Sequence, residues 1–270
     1  MGEDKKRKKR KERKRKEREE HRRKKNESRM KSKFSFTEYD FYKLLRYKKY
    51  DIYMYGGIRK DSAENREPKT VEWIETYMDA GDVLYDVGAN VGAYSLVAAA
   101  NDVTVYAFEP SITNFVVLLK NIVKNQFDSK IIPLNIPLAD KSSLSFFNYY
   151  DLAAGTSSHA FGDSVDYAGN DFKPVFKQLA MSLTIDELVF THGVKMPNHL
   201  KIDVDGIELQ ILKGAKRVLK SDECKTVCIE VMERYSDSVG INEILLECGF
   251  QKEDKMKTAV NTIYKKKANE

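Results

Sequence analysis

Apolar and polar positions change their period several times along the chain, and each change marks a candidate element. From Glu3 to Arg29 no side chain is apolar, so no element with a buried face is predicted there. Phe36, Tyr39, Phe41, Tyr42, Leu44, Leu45 and Tyr47 then predict a short aromatic-rich helix, and Tyr50 to Tyr55 alternates as a strand before the Gly56-Gly57 break. After Pro68, Val71, Ile74 and Met78 share one helical face until the stop at Ala80-Gly81. Val83 to Val87 is a short β run closed by Gly88, Val91 to Ala100 reads as a helix, and Val103 to Phe108 is the next strand. Ile112, Phe115, Val116, Leu119, Ile122 and Val123 fall at i, i+3, i+4, i+7 spacing, which predicts a helix packed on a sheet through those residues. Ile131 to Leu134 and Leu144 to Phe147 are shorter strand candidates, and residues 148 to 177 show no periodicity. Leu200 to Val204 then reads as a strand, and Ile207 to Leu219 as a helix with Ile211, Leu212, Ala215, Val218 and Leu219 inward. A strand from Thr226 to Val231, a helix from Asn242 to Glu247 and two closing strands around Phe250 and Val260 to Tyr264 complete the pattern.

Strand, helix, strand, repeated, implies right-handed crossovers and an α/β fold with a largely parallel, doubly wound sheet. In such sheets ligands sit at the carboxyl ends of the strands. Three regions are expected: a charged arm over residues 1–33, a helix/strand/helix cap over 34–80, and the main α/β domain over 81–270.

Charge changes the picture of the arm only. The 270 residues carry a net charge of +6, yet residues 1–33 hold 19 Lys and Arg against 7 acids, which leaves the remainder at −6. Glu12 with Lys16, Glu19 with Arg23 and Glu20 with Lys24 suit a solvated helix, and a disordered charged arm is the plainer reading. The sharper one is non-specific contact of residues 5–33 with a polyanion, either nucleic acid or an anionic membrane surface. With no apolar run long enough to span a bilayer and no signal-like apolar stretch, a cytoplasmic protein without a transmembrane segment is expected. Cys224, Cys228 and Cys248 are expected as buried free thiols, since no second Cys/His pair completes a zinc site.

The loops at the strand ends carry the chemistry. Asp86 to Gly92 reads DVGANVG, and Gly88 permits a tight turn with close backbone approach. An acidic side chain stands where a dinucleotide fingerprint has its first glycine, so the loop repels phosphate and suits a cationic or hydroxyl-bearing ligand. Glu109 follows 23 residues later at the end of the next strand, where a carboxylate accepts both hydrogen bonds of a ribose diol. One acid in each loop points to a nucleoside without a diphosphate, and S-adenosylmethionine, with its sulfonium, amino-acid head and ribose, fits.

VLYDVGANVGAYS, VYAFEP, NHLKIDVDGIELQILKGAKRVL and VCIEV, in that order and spacing, resemble the FkbM family of S-adenosylmethionine-dependent methyltransferases from about Pro68 to the last strand. The resemblance implies a class I, Rossmann-like methyltransferase with a seven-stranded sheet whose last strand is antiparallel. It also implies O-methylation of a hydroxyl on a sugar, glycan, polyketide or related small metabolite. Carried onto this chain, it places Asp86, Gly88, Asn90 and Gly92 around the methionine moiety, Glu109 on the ribose and Asp140, in PLADKSSLSF, near the adenine. KIDVDG departs from the family's DVEG: Asp205 stands where Glu is common.

Methyl transfer to a hydroxyl needs alignment, and a base where the hydroxyl is not acidic. Asp203, near the carboxyl end of its strand, is the best-placed carboxylate, and a cap on the helix starting near Gly206 would use the same position. Glu230, ending the next strand, is a second candidate for substrate binding, and no further carboxylate cluster supports a magnesium site with Asp203. His192 and His199 precede a strand and so belong to the opposite sheet edge. His159, in GTSSHAFG, lies in the unpatterned segment where an acceptor-binding loop is expected, as a catalytic or a plain surface histidine. Two other functions remain open: a nucleic-acid methyltransferase that captures substrate with the arm, and a catalytically silent binding protein of the same fold.

Overall fold

The computed structural model describes residues 42–47, 50–55, 68–165, 170–231, 237–253 and 261–267. The molecule divides into two units, Met1–Tyr42 and Lys43–Glu270, and all of the first except Tyr42 lies outside the described residues, the basic arm included.

Where an aromatic helix is expected, the second unit opens with a strand. β1 (Tyr42–Tyr47) pairs with β2 (Tyr50–Tyr55) in a two-stranded sheet. The run Tyr-Lys-Leu-Leu-Arg-Tyr is too short for its apolar spacing to tell the two periods apart, and pairing with the neighbouring strand decides it. Helix α1 (Pro68–Tyr77) follows, then the alternation β3 (Val83–Val87), α2 (Ala93–Ala100), β4 (Thr104–Phe108), α3 (Ile112–Lys124) and β5 (Ile131–Leu134). A small antiparallel sheet comes next, built from β6 (Ser143–Tyr149), β7 (Ala160–Phe161) and β8 (Phe176–Ser182) in the order β7-β6-β8. The chain then resumes its alternation with α4 (Ile185–Phe190), β9 (His199–Ile202), α5 (Glu208–Lys213), α6 (Lys216–Lys220), β10 (Thr226–Glu230), α7 (Asp237–Glu247), β11 (Phe250–Lys252) and β12 (Asn261–Lys266).

The main sheet has seven strands in the order β11-β12-β10-β9-β3-β4-β5. β10, β9, β3, β4 and β5 run parallel, whereas β12 lies antiparallel between β10 and β11. Strand side chains alternate between two buried clusters. Leu84, Val105 and Ala107 pack with Trp73, Leu96, Leu118 and Ile122 of α1, α2 and α3. Tyr85, Val87, Leu200, Ile202 and Ile229 pack on the opposite face with Ile185, Ile211, Leu212, Val218 and Leu245 of α4 to α7. Covered on both faces, the parallel strands carry apolar residues at successive positions rather than alternate ones.

Two helices differ from expectation. The predicted helix over 207–219 is split at Gly214, where an added Cβ would lie 2.2 Å from the Ala139 carbonyl oxygen. Helix α3 is rotated: Ile112, Val116, Leu119 and Val123 of the predicted inner stripe are exposed, and Asn114, Val117, Leu118, Asn121 and Ile122 are buried. The buried asparagines explain the rotation. Asn121 accepts from the Tyr55 amide at 2.8 Å and donates to the Val91 carbonyl at 2.8 Å, so its carboxamide ties β2 and the first loop to the helix. Asn125 extends this by accepting from the Tyr53 amide and donating to its carbonyl, as a neighbouring strand would. Backbone groups in need of partners outweigh a few exposed methyl groups here.

Candidate functional site

The chain enters the main sheet at β3, adds β4 and β5 on one side, and later adds β9 and β10 on the other. The carboxyl ends of β3 and β9 therefore flank the switch in strand order, where a doubly wound sheet opens a crevice. A cavity of about 610 Å³ occupies this place. Its floor is formed by the loops after β3, β4, β9 and β10, through Gly88, Asn90, Glu109, Asp203, Asp205 and Glu230. Its roof comes from the small sheet and its β6–β7 loop, through Phe147, Thr156, His159 and Ala160, with Asp163 just beyond β7.

The first loop packs at the limit of contact. Gly88 adopts φ +81°, and a Cβ there would lie 1.9 Å from the Asp203 carbonyl oxygen, so only glycine lets the β3 and β9 loops meet. Gly92, at φ +89°, gives way in the same manner to Leu118, whose Cδ1 would stand 2.5 Å from an added Cβ. Gly92 thus seats α2 against α3 and is not part of the cavity wall. Asn90 takes a left-handed conformation, φ 53°, that asparagine tolerates. Its amide donates to Glu109 Oε2 at 2.7 Å, and its side chain donates to the Thr156 carbonyl of the roof at 3.3 Å.

Glu109 is buried and held at both oxygens, with Ser111 N–H donating to Oε1 at 2.9 Å. Burial pushes its carboxyl up to about 7, against the lowering effect of these amide donors and of Asn114. Asp86 does not reach the cavity wall. It is fully buried beneath the loop, where its Oδ2 accepts from Ser95 Oγ at 2.6 Å and its Oδ1 lies 3.8 Å from Lys201 Nζ. Asp140 stands apart from the site, exposed on the connection to β6, while its neighbours Pro137 and Leu138 supply the wall. The Leu138–Leu183 bridge and the Ala139–Leu183 hydrogen bond draw those neighbours inward and leave the next side chain facing water.

Asp203 is not a helix cap. Helix α5 starts from Ile207 without a side-chain cap bond, and Glu208 Oε1 instead accepts from the Val204 and Gly206 amides at 3.2 and 3.3 Å. Asp203 Oδ2 accepts from Lys201 Nζ at 2.8 Å, and its side chain is one-third exposed. Lys201 itself lines the cavity although only 2% of its side chain is exposed, and sequence reasoning passed it over. The signal was the Lys-Ile-Asp spacing, which sets Lys201 and Asp203 on one face of β9 while Ile202 enters the core. Glu208 is likewise an unforeseen buried acid, pushed up to about 8 by burial, with Glu230 adding to the rise.

His159 is half-buried against the rings of Phe147 and Tyr149. Burial lowers its pKa to about 4, so it is neutral near pH 7. Its Nδ1 accepts from the Tyr150 amide at 3.2 Å, which puts the ring proton on Nε2. That Nε2 is buried and has no hydrogen-bond partner among the described residues. His199 pairs with Asp82 and Thr226 at the amino end of β9, on the opposite sheet edge. The three cysteines are buried and free, and no helix among the described residues is long and apolar enough to cross a membrane.

The family profile described as the methyltransferase FkbM domain matches residues 86–252, which covers every floor loop. Among curated proteins, the hexuronic acid methyltransferase AglP of Haloferax volcanii is 32% identical over 141 residues, 52% of either chain. The 31-O-demethyl-FK506 methyltransferase FkbM of Streptomyces tacrolimicus is 25% identical over 158 residues, 50% of this chain and 60% of that protein. The matches thus span little more than half the length of these relatives. A solved structure, methyltransferase FkbM from Methylobacillus flagellatus, aligns with 74% of this chain and 48% of its own at a TM-score of 0.50 and 17% identity, a likeness of fold. With its sheet order, its strand-end loops and a profile match over more than half its length, the chain belongs to the FkbM methyltransferase family.

Proposed function

We propose that the protein transfers the methyl group of S-adenosylmethionine to a hydroxyl of a sugar, glycan or other small metabolite. The observation that carries this reading is the charge of the cavity wall: among the described residues Glu109, Asp163, Asp203, Asp205 and Glu230 face it, against one cation, Lys201, which is paired with Asp203. Such a wall disfavours a phosphate or a carboxylate and favours a cation with hydroxyl donors. It fits the proposed cofactor by the chemistry of its donors. Glu109 would take the ribose diol, and Asn90 with the Gly88 turn would border the methionine moiety. Asp86 supports that turn from below. Bound there, the cofactor supplies an electrophilic methyl on a sulfonium.

The chain's own part is alignment and proton removal. Asp203 lies across one strand from Glu109, about 10 Å away by two interstrand spacings, which separates the diol end of the pocket from the reacting end. Its carboxylate accepts the acceptor hydroxyl's proton as the oxygen attacks the methyl, and Glu230 borders the acceptor. The hexuronic acid relative makes a saccharide acceptor the first class to test. Calorimetric titration with S-adenosylmethionine, followed by labelled methyl transfer into neutral and acidic saccharide fractions, tests the reading. Asp203→Asn should bind the cofactor within a few-fold of wild type and lose on the order of 10² to 10⁴ in turnover. No heat on titration, or wild-type turnover in the variant, would overturn it.

A further inference from the structure

We propose that Lys201 is a positioning residue for the transfer, whose ammonium holds the Asp203 carboxylate at the cavity wall among carboxylates that would otherwise expel it. The inference rests on the reading of Asp203 as the group that takes the hydroxyl proton. Its observations are separate from that reading.

A lysine is seldom this deeply buried, and a lone buried ammonium is strongly disfavoured, so its placement needs partners. Those partners are arranged by the sheet. In the parallel register Lys201 stands beside Asp86 of β3 on one side and Cys228 of β10 on the other. Two residues further on, just past the end of β9, is Asp203. Lys201 Nζ donates to Asp203 Oδ2 at 2.8 Å, sits 3.8 Å from Asp86 Oδ1, and lies 4.9 Å from the centre of the Tyr94 ring on α2. Asp86 Oδ1 is buried and makes no hydrogen bond of its own, so the ammonium is the charge that faces it. Burial raises the Asp86 carboxyl above the ordinary carboxylate range; Lys201 and Ser95 hold it back, and Asp203 adds to the rise.

Among the described residues, the other charged side chains that line the cavity are acidic. Asp205 follows in the same loop, Glu230 ends β10, Glu109 follows β4, and Glu208 opens α5. The roof contributes Asp163 and the neutral His159. Ionised carboxylates close by favour the neutral form of an acid, whereas an ammonium in contact favours its charged form, and Lys201 is in contact with Asp203. An ammonium on a flexible stem reaches both Asp86 and Asp203 from one strand, where a planar guanidinium would fork toward one of them. Acting through Asp203, Lys201 thus fixes both the place and the charge of the proton acceptor.

The test titrates Asp203 directly. In full-length protein labelled with ¹³C at the aspartate carboxyls, Asp203→Asn identifies the Asp203 signal. Lys201→Met should raise its midpoint by about one unit or more, the size expected from removing an adjacent cation. The acid limb of the turnover profile should move up by the same amount, turnover at neutral pH should fall at least about tenfold, and S-adenosylmethionine affinity should stay within a few-fold. Lys201→Arg should keep both midpoints closer to wild type than Lys201→Met does. If Lys201→Met does not fold, Lys201→Gln carries the same titration. An Asp203 midpoint that does not move in a folded Lys201 variant overturns the proposal, whatever the turnover. Wild-type turnover in Asp203→Asn, beside a midpoint that does move, overturns the reading of Asp203 as base and leaves the Lys201–Asp203 coupling standing.

Discussion

The floor and the roof of the cavity are built on different principles. The floor consists of strand ends, and its residues are set by position: Glu109 follows β4, Asp203 follows β9, Glu230 ends β10, and Gly88 turns the chain out of β3. The loop of the roof has no such frame. The loop over residues 151–159 is held from outside by side chains of other elements. Asn114 on α3 accepts from Gly155 N–H at 2.6 Å and donates to the Thr156 carbonyl at 3.0 Å, Asn90 reaches the same carbonyl, and Asp205 accepts from the Ser158 amide. The floor is therefore fixed by the sheet, whereas the roof loop is fixed by a few long-range hydrogen bonds and is the softer of the two.

The sharpest way to break this contrast is Gly88→Ala. A methyl group 1.9 Å from the Asp203 carbonyl, at a φ that L-residues rarely adopt, has no room to relax between two strands. We expect a loss on the order of 3 to 5 kcal/mol or failure to fold, measured by urea denaturation. A stable, cofactor-binding variant would show that the floor is no more rigid than the roof.

Asn114→Ala attacks the roof alone. Leaving the Gly155 amide and the Thr156 carbonyl short of a partner should cost about 1 to 3 kcal/mol. Amide exchange should quicken over residues 153–159 and hold steady in β3 and β9. Uniform exchange across both regions would mean that roof and floor open together.

A third expectation concerns pH at the floor. The Glu109 carboxyl, near 4.5 in an open chain, stands at about 7 in the fold. A raised acid contributes stability below the open-chain value that is lost as pH rises through about 7. A ribose diol donates to the ionised form, so cofactor affinity should increase by up to about tenfold from pH 6 to pH 8. Glu109→Gln should abolish that slope, which calorimetry at several pH values reads directly. A slope retained in the variant would assign the titration to another group.

The smallest effect is expected at the outward stripe of α3. Val123 is 70% exposed, so Val123→Ser should change stability by no more than about 0.5 kcal/mol. A larger loss would show that this apolar stripe is covered in solution.

The sequence alone determined the alternation of strands and helices, the doubly wound class and the loops in which Gly88, Asn90, Glu109, Asp203 and Glu230 stand. Each is governed by local signals: apolar period, a glycine at a turn, an acid one residue beyond a β run. Tertiary structure decided where those signals compete or fall silent. It turned the polar face of α3 inward because the amides of β2 and of the roof need partners, and the apolar period carries no record of that need. It buried Asp86 and Gly92 behind the wall, left Asp140 in water, and assembled the roof from β6, β7 and β8, whose contacts join residues far apart in the chain. It also placed Lys201 between Asp86 of the neighbouring strand β3 and Asp203 just beyond its own strand. Strand register is a long-range property: a lysine's neighbours along the chain reveal its own strand, while its cross-strand partners exist only once the sheet is paired.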